Sequence, residues 1–261
     1  MADEQRTIFI SGGASGIGRA TAELFAGKGW HVGIADIDAA TLATTARAIG
    51  AEPFALDVRD YDAWGEAFDA FTAGGARPLH VFLNNAGIAA GGPFGEIGQA
   101  ELDRVIDINF RGVLYGARAA YPHLARTPGS ALVNTASASA IWGSPGLAAY
   151  SATKFGVRGL TEALDGEWAA AGIKVRSLQP GFIDTPLLRA TVGGSNETAR
   201  DRVAAAGLEF TPVEKVADAV WGLIHDDSAL HAYVGPTARR LAFAARWLPG
   251  RLRKRMRSGS L

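Results

Sequence analysis

The chain has no cysteine, which excludes disulfides, thiol nucleophiles and cysteine-ligated metal and suits a reducing compartment, so a cytoplasmic location is the expectation. It also lacks a net charge. With 26 basic and 26 acidic residues, the molecule as a whole advertises no nucleic-acid partner. No uninterrupted apolar run approaches the roughly 18 residues of a spanning helix. The opening MADEQRTIFISGG has neither the basic nor the apolar region of a signal peptide. No proline-rich or polar linker divides the 261 residues, 48% of them hydrophobic, and one domain with a sizeable core is expected. The five histidines, His31, His80, His123, His225 and His231, are scattered, so no metal site is expected and they read as structural or surface residues.

Glycine, by contrast, is abundant, with 33 residues, and its most informative cluster stands near the start. Thr7 to Ser11 is a short β-branched and aromatic run followed at once by Gly12, Gly13, Gly16 and Gly18, after which Ile17, Ala20, Leu24 and Phe25 recur at helical spacing. Strand, glycine turn and helix in that order suit a dinucleotide pyrophosphate, which needs close backbone approach and free amides at a helix N-terminus. Ser15, Gly16 and Ile17 are the helix-entry candidates. The next strand, His31 to Ala35, ends at Asp36, 24 residues beyond Gly12, where a carboxylate can grip the adenosine ribose diol and repel a 2′-phosphate. Ser15 and Ile37 offer no compensating cation, which favours NAD over NADP. A helix over Ala39 to Ala48 and a strand over Glu52 to Leu56 lead to Asp57 and Val58. Asp57 could accept from the adenine amino group or cap the following helix, about Asp60 to Ala73.

Leu79 to Leu83 reads as a parallel strand buried on both faces. It ends in Asn84, Asn85, Ala86 and Gly87, small or turn-forming residues against which a ribose could lie, with Asn84 available to tie adjacent strands. A long helix from near Gln99 to about Leu124 carries Asn109 within an apolar stripe, with an irregularity expected at Asn109 and Gly112. Such an amide must find a partner, either by locking a helix bulge and holding a water in a proton path or by bonding neighbouring backbone. Ala131 to Ala136 is the next strand, and Ser137 stands just past its end, with Ser139 the competing hydroxyl. No G-x-S-x-G elbow surrounds either serine, which argues against a serine nucleophile. Tyr150 and Lys154, four residues apart on a helix over about Ala149 to Ala170, share one face. There an ammonium can favour the phenolate and fit the tyrosine for proton transfer, although such a pair can also be plain packing with a snorkelling lysine.

Taken together, these segments resemble the short-chain dehydrogenase/reductase family over nearly the whole chain. The glycine segment from Gly12 to Gly18, the Asn84 to Gly87 segment, Asn109, the Ser137, Tyr150 and Lys154 set, and Pro180-Gly181 followed by Thr185 fall in the family's order. Ser11 and Ala136 stand where the family often has threonine and a second hydroxyl. The resemblance implies a single-domain α/β, Rossmann-type, doubly wound parallel sheet of about seven strands. It implies NAD as cofactor, held from Gly12 to Gly18 through Ser15, Gly16 and Ile17, at Asp36, Asp57, Val58, Asn85, Ala86 and Gly87, and by Pro180, Gly181, Ile183 and Thr185. Tyr150 is then the general acid/base, Lys154 lowers its pKa and bonds the nicotinamide ribose, Ser137 polarises the carbonyl, and Asn109 completes a water-mediated relay. A homotetramer or homodimer paired through the helices bearing Asn109 and Tyr150 is also implied.

Residues 187–210 form the expected substrate lid. Trp142, Leu147, Phe182, Leu187, Leu188 and Val192 are candidate apolar walls, beside Ser137 and Tyr150, and no charge is clearly placed to hold a carboxylate or phosphate. The substrate expectation is therefore a hydrophobic, uncharged secondary alcohol or ketone, with a steroid-like or other bulky cyclic compound as an alternative and oxidation as the preferred direction. A non-catalytic NAD-binding or membrane-peripheral protein is the reading from a different class. Residues 1–236 make the dehydrogenase domain. The 237–261 extension has eight Lys or Arg and no acid, interleaved with Leu241, Phe243, Trp247, Leu248, Leu252 and Met256 and interrupted at Pro249-Gly250. Such a basic amphipathic segment could make weak contact with an anionic membrane surface, cover an apolar substrate entrance, or pack on its own subunit or a partner.

Overall fold

The computed structural model describes residues 5–189, 198–205 and 207–258. Seven parallel strands form one sheet: β1 (Thr7–Ser11), β2 (His31–Asp36), β3 (Glu52–Ala55), β4 (Val81–Asn84), β5 (Ala131–Thr135), β6 (Lys174–Pro180) and β7 (His231–Val234). They run in the order β3-β2-β1-β4-β5-β6-β7, the doubly wound arrangement the sequence implies. The crossovers carry α1 (Gly16–Gly27), α2 (Ala39–Ile49), α3 (Tyr61–Phe71), α4 (Gln99–Ile106), α5 (Gly112–Leu124) and α6 (Ala148–Trp168). Beyond β6 come α7 (Ala199–Ala205) and α8 (Val213–His225), and after β7 the pair α9 (Pro236–Trp247) and α10 (Pro249–Arg257).

Strand alternation sorts the core into two layers. Ile8, Ile10, Val81, Leu83 and Val133 face one side with Phe25, Val216 and Val220 from α1 and α8. Phe9, Phe82, Leu132 and Val175 face the other with Trp64, Phe68 and Phe71 of α3, Leu124 of α5 and Trp168 of α6. Both faces of the sheet are covered, which accounts for the nearly continuous apolar strands. The expected strand start at Leu79 is corrected to Val81. The Leu79 amide donates to Thr127 Oγ1 at 3.2 Å and the His80 amide to Thr7 Oγ1 at 3.1 Å, so these two amides bond side chains instead of a strand ladder.

Successive strands are added toward one edge from β1 to β3 and toward the other from β4 to β7, and the loops leaving the C-terminal ends of β1 and β4 meet where that order switches. That switch point opens the crevice in which such sheets hold ligands. The expected irregularity in the Asn109 helix is a π-turn over Asp107–Arg111 joining α4 to α5, and the expected break at Pro249-Gly250 is the boundary between α9 and α10. No helix among the described residues is long and apolar enough to cross a membrane.

Candidate active site

A cavity of about 790 Å³ occupies the switch-point crevice. Its nucleotide end begins at the turn after β1. Gly12 has φ of +64°, and a β-carbon there would stand 2.9 Å from Ala86 Cα; one on Gly18 would stand 2.1 Å from the Gly12 carbonyl oxygen. Only glycine lets the two loops close this tightly. Gly12, Ser15, Gly16 and Ile17 line the cavity, whereas Gly18 lies buried beneath the turn and is structural. Ser15 stands at the N-cap of α1 without capping it by its side chain, and the first turn carries no acid. Uncapped amides at a helix start beside a cavity are what an anionic pyrophosphate would use.

Ser11 joins the two loops. Its hydroxyl accepts from the Asn85 amide at 2.9 Å and the Ala86 amide at 3.1 Å, while Asn85 Nδ2 donates to the Ser11 carbonyl at 3.0 Å. Asn84 does not tie neighbouring strands as expected: its Nδ2 donates to the Val113 carbonyl of α5 at 2.9 Å, fixing strand to helix. Asn85, Ala86 and Gly87 line the cavity.

At the end of β2, Asp36 lines the cavity and accepts from the Ala14 amide at 3.2 Å and the Asp38 amide at 3.1 Å. The carboxylate is thereby tied to the glycine loop. Asp57 and Val58 also face the cavity. Asp57 does not cap α3; Asp60 does, accepting from the Asp62 and Ala63 amides. Instead Arg59 grips Asp57 through Nη2 at 2.6 Å and Nε at 2.9 Å, and that hydrogen-bonded guanidinium holds its carboxyl below the ordinary range.

The chemical end is built by β5 and α6. Ser137 caps a short 3₁₀ turn over Ala138–Ala140, its Oγ accepting from the Ser139 amide at 3.1 Å. Its side chain also hydrogen-bonds Tyr150, and both line the cavity with Lys154. Lys154 is 3% exposed, donates from Nζ to the Thr135 carbonyl at 3.0 Å and lies 5.6 Å from the centre of the Tyr150 ring. Burial lowers its pKa to about 8. The expected lowering of Tyr150 by this lysine is corrected: burial pushes the phenol up, opposed by the Ser137 hydrogen bond. The ammonium donates to the Thr135 carbonyl and burial weakens its own preference for charge, so it does not offset the desolvation of the ring.

Asn109 is fully buried and does not face the cavity. Its Oδ1 accepts from the Ile88 amide and its Nδ2 donates to the Ile88 carbonyl, each at 2.8 Å. This reciprocal pair joins the π-turn to the loop after β4, so Ile88, 21 residues away in sequence, is the partner the buried amide requires. A β-carbon on Gly87 would meet Asn109 Oδ1 at 3.2 Å and Lys154 Nζ at 3.5 Å, which puts both side chains against the same side of that backbone.

Pro180, Gly181, Ile183 and Thr185 line the cavity from the segment after β6. The Thr211 amide donates to the Phe182 carbonyl at 2.8 Å, and Ile183 pairs with Thr211 in a parallel bridge, which pins the base of this segment. Leu147, Phe182, Leu187 and Leu188 reach the wall, joined by Val203 and Leu208. Trp142 does not. The 3₁₀ turn buries Ile141 and leaves Trp142 half-buried outside the lining. Val192 and much of the expected 187–210 lid lie outside the described residues. Thr237, Arg240, Leu241 and Ala244 of α9, with Leu252, Arg255 and Met256 of α10, complete the wall. Among the sequence alternatives for the tail, the geometry therefore gives the covering of the cavity.

The short chain dehydrogenase family profile matches residues 6–194. The chain is 32% identical over 231 residues to the 3-oxoacyl-[acyl-carrier-protein] reductase FabG of Thermotoga maritima, covering 87% of this chain and 93% of that one. It is 34% identical over 232 residues to a 3-alpha-(or 20-beta)-hydroxysteroid dehydrogenase of Mycobacterium bovis, covering 86% and 84%. Among solved structures, a short chain dehydrogenase/reductase of Burkholderia phymatum in complex with NAD superposes with a TM-score of 0.80 at 26% identity, covering 98% and 97%.

Proposed function

From the premise that the chain belongs to the short-chain dehydrogenase family, we propose that it is an NAD-dependent oxidoreductase interconverting a hydrophobic, uncharged secondary alcohol and its ketone. The observation that carries this reading is the convergence of Ser137, Tyr150 and Lys154 on one cavity whose other end is a glycine cradle closed by Asp36. The cradle fits a dinucleotide because its glycines admit no side chain, its helix amides are uncapped, and Asp36 can accept from a ribose diol while opposing a 2′-phosphate. NAD in its complex with the Burkholderia relative is consistent with this.

When bound, the nicotinamide supplies the acceptor or donor of the hydride. The chain supplies the rest. Ser137 donates to the substrate oxygen and fixes it beside Tyr150. In oxidation the Tyr150 phenolate takes the hydroxyl proton; in reduction the phenol returns it. Lys154 supplies a cation beneath the ring whose buried position makes its charge sensitive to what else enters the cavity. Asn109 acts as a positioning residue, holding the loop that carries Gly87 against Lys154. The apolar wall of Leu147, Phe182, Leu188, Val203 and Leu208 excludes water and favours a substrate without charge.

A bulky cyclic alcohol is the second reading, favoured by the extension of the wall onto Leu241, Ala244 and Met256 and by the hydroxysteroid dehydrogenase relative. Oligomerisation through the helices bearing Asn109 and Tyr150 belongs to the same proposal, and exposed Ile106, Tyr121 and Phe155 on α4, α5 and α6 support it. The functional test is NADH formation at alkaline pH across secondary alcohols graded from small aliphatic to polycyclic, with NADP in parallel. Turnover of an apolar class with NAD is expected. Equal use of NADP would refute the assignment of Asp36, and silence across the panel despite NADH binding would refute the substrate class.

A further inference from the structure

The α9–α10 pair has a second face that the cavity does not use. On α9, Thr237, Arg240, Leu241 and Ala244 look onto the cavity, while Arg239, Phe243, Arg246 and Trp247 are exposed. Phe243 and Trp247 are 60% and 63% exposed and Leu248 is 39% exposed, so two aromatic rings and a leucine stand outward within six consecutive residues. Arg246 lies over the Trp247 ring at 5.2 Å. On α10, Arg253, Lys254 and Arg257 surround a shallow recess at Gly250, on one helical face. No acidic residue occurs beyond residue 236, against eight basic ones.

We propose that the outer face of α9–α10 docks on the surface of an anionic lipid bilayer, with Phe243, Trp247 and Leu248 entering the headgroup boundary and the arginines and lysine meeting lipid phosphates. The two helices are too short to span a bilayer, and α10 is strongly basic, so they lie in the plane of the interface. Charge complementarity selects the occupant. With Arg240 and Arg255 turned to the cavity, a symmetric contact between two copies through this face would set the six exposed cations Arg239, Arg246, Arg251, Arg253, Lys254 and Arg257 against six, whereas an anionic leaflet complements them. Aromatic rings flanked by arginines also suit the boundary between water and acyl chains, where one side of the residue set is wet and the other apolar.

The arrangement links docking to access. The docking residues and the cavity-lining residues alternate along the same helices, so a docked molecule holds one wall of its cavity against the bilayer, where an apolar alcohol is concentrated. This link rests on the substrate reading above; the docking does not.

The test is sedimentation of the full-length protein with vesicles of phosphatidylcholine alone or with about one third phosphatidylglycerol, at low and high salt. The account expects partition onto the anionic vesicles that high salt reverses. The substitutions R253Q, K254Q and R257Q together are expected to weaken it on the order of a hundredfold, at about fivefold per cation. F243A with W247A should weaken it about tenfold or more at unchanged charge. None of these residues lines the large cavity, so turnover of a water-soluble secondary alcohol should match the parent and report an intact fold. Equal partition onto neutral vesicles, or partition untouched by either set of substitutions, would overturn the proposal. So would a mass in light scattering, without lipid, that falls when Phe243 and Trp247 are replaced, since that would identify the face as a contact between copies.

Discussion

Replacing Lys154 by methionine should make the cofactor-free protein more stable at neutral pH and less stable at high pH. Lys154 is 3% exposed, and burial sets its pKa at about 8 against an ordinary 10.5. Burial disfavours the charged form. The folded protein therefore bears the whole penalty below pH 8, and the penalty fades as pH rises from about 8 to 10.5, the window in which the unfolded chain binds more protons. A displacement of that size corresponds to about 3 kcal/mol. Methionine keeps an unbranched stem and removes the charge, but it also removes the 3.0 Å hydrogen bond to the Thr135 carbonyl, a loss of about 1–2 kcal/mol. The balance favours Lys154→Met by about 1–2 kcal/mol at pH 7 and opposes it by about 1 kcal/mol above pH 10. Urea unfolding of both proteins at pH 7 and pH 10 measures the difference, and taking that difference cancels every other group that titrates in the window. A stability difference that is the same at both pH values would refute the reasoning, because only a change of charge on Lys154 makes it depend on pH.

Ser137→Ala removes the one hydrogen bond that opposes the upward push of burial on Tyr150, so the alkaline rise of the alcohol-oxidation profile should move to higher pH; kcat/KM measured against pH reports it. Asn109→Ala leaves both backbone groups of Ile88 without their 2.8 Å partners in a part-buried place. Unfolding in urea should show a loss of about 2–4 kcal/mol, with turnover falling more than NADH affinity, because the Ile88 loop carries Gly87 beside Lys154.

The strands were legible in the sequence because burial on both faces of a parallel sheet leaves runs such as Val81–Leu83 and Ala131–Val133, and the turns because Gly12 and Gly18 stand where no other residue fits. The residues that line the glycine cradle and the Ser137, Tyr150 and Lys154 end of the cavity were legible too: a glycine turn, a strand-end serine and a Tyr-Lys pair are local signals. What connects them was not. The Ser11 hydroxyl binding the Asn85 and Ala86 amides, Thr135 receiving Lys154, and Ile88 answering Asn109 are contacts across 19 to 75 residues of chain, and nothing in the local pattern names the partner. Arg59, two residues from Asp57, was within reach of a local reading as an adjacent opposite charge. Trp142 failed as a wall residue because the chain leaving the 3₁₀ turn buries Ile141 away from the cavity and leaves Trp142 half-buried outside it, and hydrophobicity alone does not say which apolar residues reach the wall. The alternation of apolar and basic residues in the tail did announce two faces; that one of them closes the cavity required the strand order, which brings the end of β7 beside the end of β6.

The account turns on proton transfer at Tyr150, and Tyr150→Phe tests it with the smallest change, one hydroxyl removed from a ring that stays in place. NADH binding, followed by fluorescence titration, and alcohol turnover, followed by NADH formation, should separate: binding within a few-fold of the parent, and turnover lost by on the order of a thousandfold or more, the usual scale for a positioned acid or base. Turnover retained near the parental rate with binding intact would contradict the central claim and move the proton to another group in the cavity.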